Sequence, residues 1–334
     1  ISLWSILVYA PIAHWVFSPT GWLFERGAED FAGGTVVHAN AGAAAIAVAL
    51  VLGRRRGWPD TNFRPHNVPF VLLGAGLLWF GWFGFNAGSA LSAGKLSSIA
   101  FMNTNTATAA ALLGWIAVER FRDGKVSTLG AASGAVAGLV AITPACGFVS
   151  PMGSIFIGLI AGAACALSTA IKGKVGVDDA LDVGAVHLVG GALGALMIGF
   201  WGTTSTGGVN GFFYGGGFHL LKEQALTVVS VVVYSFVATL IIASVVKFCF
   251  RIRMTRDQEI AGMDVALHGE IAYEFAPPAK STQSAGGVGT ALAPTPAMQP
   301  APGDGYNSGG YNAGQYGSGN GGLPPQASGH RRQR

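Results

Sequence analysis

Charge is scarce in this chain. Asp, Glu, Lys and Arg make up 11% of its 334 residues, against about 25% in a soluble globular domain. Hydrophobic residues make up 51%, and there are 51 glycines; glycine is more frequent in transmembrane helices than in soluble ones. This excludes an ordinary soluble domain and points to a polytopic, all-α membrane protein. A large surplus of one sign is also missing. The net charge is +4, and most basic residues fall in short loops, which argues for membrane topology and against nucleic-acid binding. Cysteine is rare: Cys146, Cys165 and Cys249 stand apart, without metal-ligand spacing, and read as packing residues. No HExxH motif, phosphate loop or nucleophile–base pattern occurs, so no enzyme, cofactor or metal centre is expected. The chain begins at Ile1 without a basic leader or cleavage site, so its start is not a signal peptide. Truncation at the N-terminus is expected.

What is present is a series of long apolar segments. A bilayer span takes about 20 mainly apolar residues, which places a partial span at about 1–17 and full ones at about 35–52, 68–89, 98–118, 129–146, 154–171, 183–202 and 225–246. Arg54, Arg55, Arg56 and Arg64 share one loop; Arg120, Arg122 and Lys125 share the next on that side. Lys172 and Lys174 follow, then Lys247, Arg251, Arg253 and Arg256 after the last span. The opposite loops hold Arg26, Lys95 and Lys222. The positive-inside rule makes the first group cytoplasmic, with a cytoplasmic C-terminus. Three regions follow: a transmembrane domain over 1–250, a cytoplasmic region over 251–276, and a Gly/Pro/Ser-rich tail over 277–334 that is expected to be disordered. Within the tail, Tyr306, Tyr311 and Tyr316 read as low complexity. Small residues four apart (Gly130/Gly134/Gly138, Gly84/Gly88, Gly158/Gly162) predict close helix packing in lipid.

Two apolar spans each carry a histidine, His38 and His187. A titratable group inside a span is costly and marks a functional site by default. One such histidine alone is more simply a buried residue satisfied within its bundle. Two, in similar Gly/Ala-rich settings and each downstream of an aspartate (Asp30, Asp182), argue for a shared site. Their spans run in opposite directions, so they can meet near mid-membrane as an inverted pair. A neutral imidazole has one donor and one acceptor nitrogen. Two of them can share a proton and still offer groups to a small polar solute. Asp30 precedes the His38 span, where a helix cap carries more weight than a cation-attracting charge. Asp178, Asp179 and Asp182 precede the His187 span in the same way. Near the outer end of a third span, Trp82, Phe83, Phe85 and Ser89 form either an interfacial belt or a cation site, since aromatic faces attract ammonium-like cations.

At these residues the sequence resembles the ammonium transporter family (Amt, Mep and the related Rh proteins), in its Amt branch. The matching blocks are PIAHW at 11–15, DFAGGTVVHANAG at 30–42, RPHNVP at 64–69, GWFGFNAGSA at 81–90, GAVAGLVAITPACG at 134–147, DVGAVHLVGG at 182–191 and GMDVALHGEIAY at 262–273. The resemblance implies an eleven-helix inverted-repeat fold, of which this chain holds about helices four to eleven, in a homotrimer in the plasma membrane. It implies that His38 and His187 are the pore pair and that Phe85 is the lower ring of a gate. Phe17, Trp82, Ser89 and Asp30 would form the outer recruitment site for ammonium. The family usually has tryptophan where this chain has Phe17, which implies weaker recruitment or compensation by Trp15 or Trp22. Thr143 and Ser133 match polar positions whose expected role is packing. The implied activity is passage of ammonia, with or without separate proton transfer. The alternative is an ammonium sensor signalling through its C-terminus, and a PII-type signalling protein is the implied partner at the cytoplasmic face.

Overall fold

The computed structural model describes residues 1–59, 63 and 65–270. Arg64 and the tail at 277–334 lie outside the described residues. The described residues form helices and no strand, with one isolated antiparallel bridge between Val149 and Gly202. The main helices are α1 over 2–17, α2 (Gly34–Leu52), α3 (Val68–Gly88), α4 (Lys95–Arg122), α5 (Thr128–Ile142), α6 (Pro151–Ser168), α7 (Gly184–Trp201) and α8 (His219–Cys249), followed by a short α9 (Arg256–Ala261). Each long helix falls on a predicted span. Among the described residues, five helical stretches, at Gly34–Leu52, Val68–Gly88, Pro151–Val175, Gly184–Trp201 and His219–Cys249, are long and apolar enough to cross a membrane.

Local chemistry sets the helix ends. The side chains of Asn67, Ser127 and Ser150 accept hydrogen bonds from the backbone N–H groups of Phe70, Gly130 and Gly153. Each thereby caps donors that a helix start leaves free. Pro69 and Pro151 sit in first turns, where no partner for their nitrogen is needed. α5 stops at Ile142, earlier than the expected 146, because Pro144 has no N–H to continue the ladder. The carbonyls freed there are used across the fold. Phe31 N donates to Pro144 O at 3.0 Å, and Asn103 Nδ2 donates to Cys146 O and Val149 O at 2.8 Å each.

Glycine rows bring α4, α5 and α6 together. A Cβ on Gly158 or Gly162 would lie 2.2 or 2.0 Å from the Ala107 or Ala111 carbonyl oxygen, and one on Gly138 would lie 2.6 Å from Ala111 Cβ. Only glycine permits such backbone contact. Gly84 and Gly88 share the spacing, but a Cβ on either would meet nothing within 4 Å among the described residues. α3 buries Trp82 and Asn86 and leaves most of its surface open.

The two ends of the bundle are stitched separately. At one end Arg55 pairs with Asp178 at 2.7 Å, Arg54 Nε donates to Gly176 O, and Arg122 donates to Ala166 O. The chain leaving α8 returns to the end of α2, where Lys247 Nζ donates to Val51 O and Arg253 to Leu52 O and Arg54 O. At the opposite end Arg26 makes a two-point ion pair with Glu223 at 2.7 and 3.0 Å. The buried Gln224 side chain holds the Glu29 backbone at both N and O, 2.8 Å each. This sorting matches the alternation of basic and less basic loops in the sequence.

Glu29 accepts from Val209 N at 2.8 Å, and its second oxygen is buried without a partner among the described residues. Burial outweighs the Val209 bond and pushes the Glu29 carboxyl up to about 7 from an ordinary 4.5. Between those values the folded protein binds the extra proton, so stability falls as pH rises through that window and recovers as pH falls. The unfolding temperature should therefore rise by several degrees from about pH 8 to about pH 5, at roughly 2–4 °C per kcal/mol. In Glu29→Gln this part of the pH dependence should disappear; an identical slope in thermal scans of both proteins would refute the assignment.

Candidate functional site

α2 and α7 both begin with a π-helical segment, Gly34–Ala39 and Gly184–Val189, and each holds its histidine there. π-Turns hold one residue more per hydrogen bond than α-turns and recur at functional sites. Asp30 starts the first. Its carboxylate accepts from the backbone N–H groups of Gly33, Gly34, Thr35 and Val36 and from Thr35 Oγ1. Asp179 starts the second, accepting from Val183 N at 3.0 Å and Gly184 N at 2.7 Å. The counterpart of Asp30 is therefore Asp179, not Asp182. Asp182 pairs with Lys172 at 2.7 Å and has a positive φ of 56°. The signal was present in the sequence: Asp30 and Asp179 each lie eight positions before their histidine, and Gly42 and Gly191 each lie four after it.

Those two glycines let the π-segments cross. A Cβ on Gly42 would fall 2.4 Å from Leu188 N, and one on Gly191 would fall 2.6 Å from Gly34 O and 3.0 Å from His38 Cβ. The crossing brings His38 Nδ1 and His187 Nδ1 to 3.4 Å, with ring centroids 5.4 Å apart. His38 is buried, and its Nε2 has no partner among the described residues. The two rings thus meet through Nδ1, one donating and one accepting, which leaves the Nε2 side of His38 open to a small ligand.

Aromatic rings enclose the pair. Trp82 stacks on His38 at 5.2 Å and 22°, Phe85 lies 5.9 Å from His38, and Trp82 and Phe85 are 5.5 Å apart. Trp82 Nε1 donates to Thr143 Oγ1 at 2.9 Å, and that hydroxyl donates to Leu139 O. Thr143, for which packing was expected, thus makes a polar contact that fixes the indole against His38. Among the recruitment residues, the structure places Trp82 beside the histidines and not with Phe17. Phe17 ends α1, half exposed, and makes no ring contact among the described residues. Nearby Trp15 packs edge-on against Trp22 at 6.1 Å and Tyr234 at 4.7 Å. Ser89 Oγ donates to Phe85 O at 2.8 Å, so its oxygen stays available as an acceptor. Asp30 is buried beneath its backbone donors. Among the described residues no group of His, Cys, Asp and Glu is arranged to hold a metal.

The model of the Ammonium Transporter Family matches residues 1–273. An ammonium transporter of Mycobacterium tuberculosis (strain ATCC 25618 / H37Rv) is 53% identical over 289 residues, covering 82% of this chain and 61% of that protein. One from Bacillus subtilis is 46% identical, covering 81% and 67%. The crystal structure of Candida albicans Mep2 superposes with a TM-score of 0.71 at 38% identity, covering 76% of this chain and 59% of that one. A structure titled "Sensor Amt Protein" superposes with a TM-score of 0.70 at 33% identity, covering 77% and 65%. This chain spans about three-fifths of the length of the mycobacterial relative.

Proposed function

Since the chain belongs to the ammonium transporter family over residues 1–273, we propose that it forms the twin-histidine part of an ammonium transport path in the plasma membrane, with its C-terminus cytoplasmic. Ammonium is recruited near Phe17, Ser89 and Asp30, with Trp82 and Phe85 leading inward. A bare cation is too costly to move through an apolar interior. Ammonium therefore gives up a proton before the narrow section. Ammonia passes Phe85 and then His38 and His187, while the proton returns to the outer water or crosses separately. The observation that carries this reading is the buried histidine pair whose His38 Nε2 has no partner among the described residues. An uncharged solute with one lone pair and several N–H groups suits such a site. The assembly is a homotrimer, and a PII-type protein at the basic face is the candidate regulator.

The test is the His38→Leu/His187→Leu double variant in proteoliposomes. Ammonium uptake should fall at least about tenfold, the scale of losing a buried hydrogen-bonding pair. Unchanged uptake in a correctly inserted variant would remove the pair from the path. Current recorded during an ammonium pulse separates the two forms of transport: ammonia flux without current eliminates separate proton transfer. The likeness to a structure titled "Sensor Amt Protein" favours a second reading, a sensor signalling through its C-terminal region. Removal of residues 251–334 that abolishes signalling, in a protein with no measurable transport, would select it.

A further inference from the structure

The end of α2 and the chain leaving α8 build a second site, at the basic end of the bundle and away from the histidines. Arg253 is fixed in place: its guanidinium donates to Leu52 O at 3.0 Å and Arg54 O at 2.6 Å, and it pairs with Glu259 at 3.2 Å. Glu259 also accepts from Arg56 N at 2.7 Å. α9, which carries Arg256 and Glu259, is held at its start by a reciprocal Thr255–Gln258 cap. These contacts frame an open recess of about 330 Å³ lined by Arg56, Arg253, Met254, Arg256 and Glu259. The lining holds three guanidiniums against one carboxylate. That carboxylate is already engaged by Arg253 and the Arg56 backbone. Among the described residues the guanidiniums of Arg56 and Arg256 make no hydrogen bond or ion pair, although the Arg56 charge also acts on Glu259.

We propose that this recess binds a phosphate group, from an anionic lipid headgroup or from a soluble phosphate compound. Two planar guanidiniums with their N–H groups free of protein acceptors among the described residues call for an oxyanion with several acceptor oxygens, which phosphate supplies in forked geometry. The recess follows directly on the last membrane span, and Lys247 and Arg251 add to its basic surroundings. Basic clusters in that position attract anionic headgroups. A bound phosphate would join Arg56, on the α2 side, to Arg256, on the α9 side. It would thereby tie the post-span segment to the helix that carries His38. This inference does not depend on the transport reading.

Binding is measured on the purified full chain in detergent, by calorimetry, with three probes: inorganic phosphate, dioctanoyl phosphatidic acid and dioctanoyl phosphatidylcholine. Phosphatidic acid should bind and phosphatidylcholine should not. Arg56→Gln/Arg256→Gln should weaken binding about tenfold, as expected for losing charge-assisted hydrogen bonds. Lys125→Gln/Lys174→Gln removes the same charge from exposed sites elsewhere and should change affinity less than about twofold, the scale of screened surface charge. Glu259→Gln should tighten binding, a gain that a misfolded protein would not give. Phosphatidic acid binding without phosphate binding assigns a lipid headgroup; equal binding of both assigns a soluble phosphate compound. The site is overturned if neither anion binds, if phosphatidylcholine binds as well, if the lysine pair loses as much as the arginine pair, or if Glu259→Gln brings no gain.

Discussion

Asp30→Ala should cost the folded protein on the order of 4 kcal/mol or more, since each buried donor left unpaired costs about 1–3 kcal/mol. The wild-type carboxylate receives four backbone N–H groups, from Gly33, Gly34, Thr35 and Val36, and the Thr35 hydroxyl. These are the donors that the start of a helix leaves open, and Asp30 itself is 9% exposed. Water has little room to replace it. Its negative charge also faces the positive end of the helix dipole, which favours it further. Alanine removes all of this at once, and the first turn holding His38 should unravel. Asn keeps one acceptor oxygen but no charge, so Asp30→Asn should fall between wild type and alanine. The measurement is thermal unfolding in detergent, with transport alongside. An alanine variant as stable as wild type would show that the carboxylate does not hold the turn.

Gly42→Ala and Gly191→Ala should each destabilise the protein by about 2 kcal/mol, the usual scale of overpacking. The sign is informative. Alanine is about 1 kcal/mol better than glycine inside a helix, so propensity alone predicts stabilisation. Here the new methyl would lie 2.4 Å from Leu188 N or 2.6 Å from Gly34 O. Backbone cannot swing aside as a side chain can, so the helices must part. The His38–His187 contact at 3.4 Å would part with them, and transport should fall with stability. Gly173→Ala is the control, with nothing within 4 Å of its Cβ; it should be neutral or slightly stabilising. Equal thermal midpoints for Gly42→Ala and wild type would show that the crossing is looser than drawn.

The sequence made the helices legible because each span is a long apolar run, and hydropathy is a local property. It made His38 and His187 legible because a titratable residue inside such a run stands out. The counterpart of Asp30 is less legible. Asp178, Asp179 and Asp182 are near neighbours, and selecting Asp179 required knowing which carboxylate reaches Val183 N and Gly184 N. The equal spacing from aspartate to histidine to glycine in both halves is the sequence signal that singles out Asp179. Thr143 was less accessible. Its link to Trp82 crosses 61 positions, and nothing in either local segment announces it. Gly84 and Gly88 show the same spacing without a neighbour among the described residues. The spacing of four permits close packing but does not supply a neighbour.

The joining of the two imidazoles through Nδ1 gives the pair a polarity. Each neutral ring carries one proton. If His38 donates from Nδ1, its Nε2 is bare and the Nε2 of His187 carries hydrogen; if His187 donates, the assignment reverses. In either state one Nε2 is a donor and the other an acceptor, never two of a kind. A solute moving along the pair therefore meets an ordered sequence of roles, and reversing that order requires both rings to exchange protons together. A replacement ring lacking either nitrogen would abolish the order, not merely weaken it.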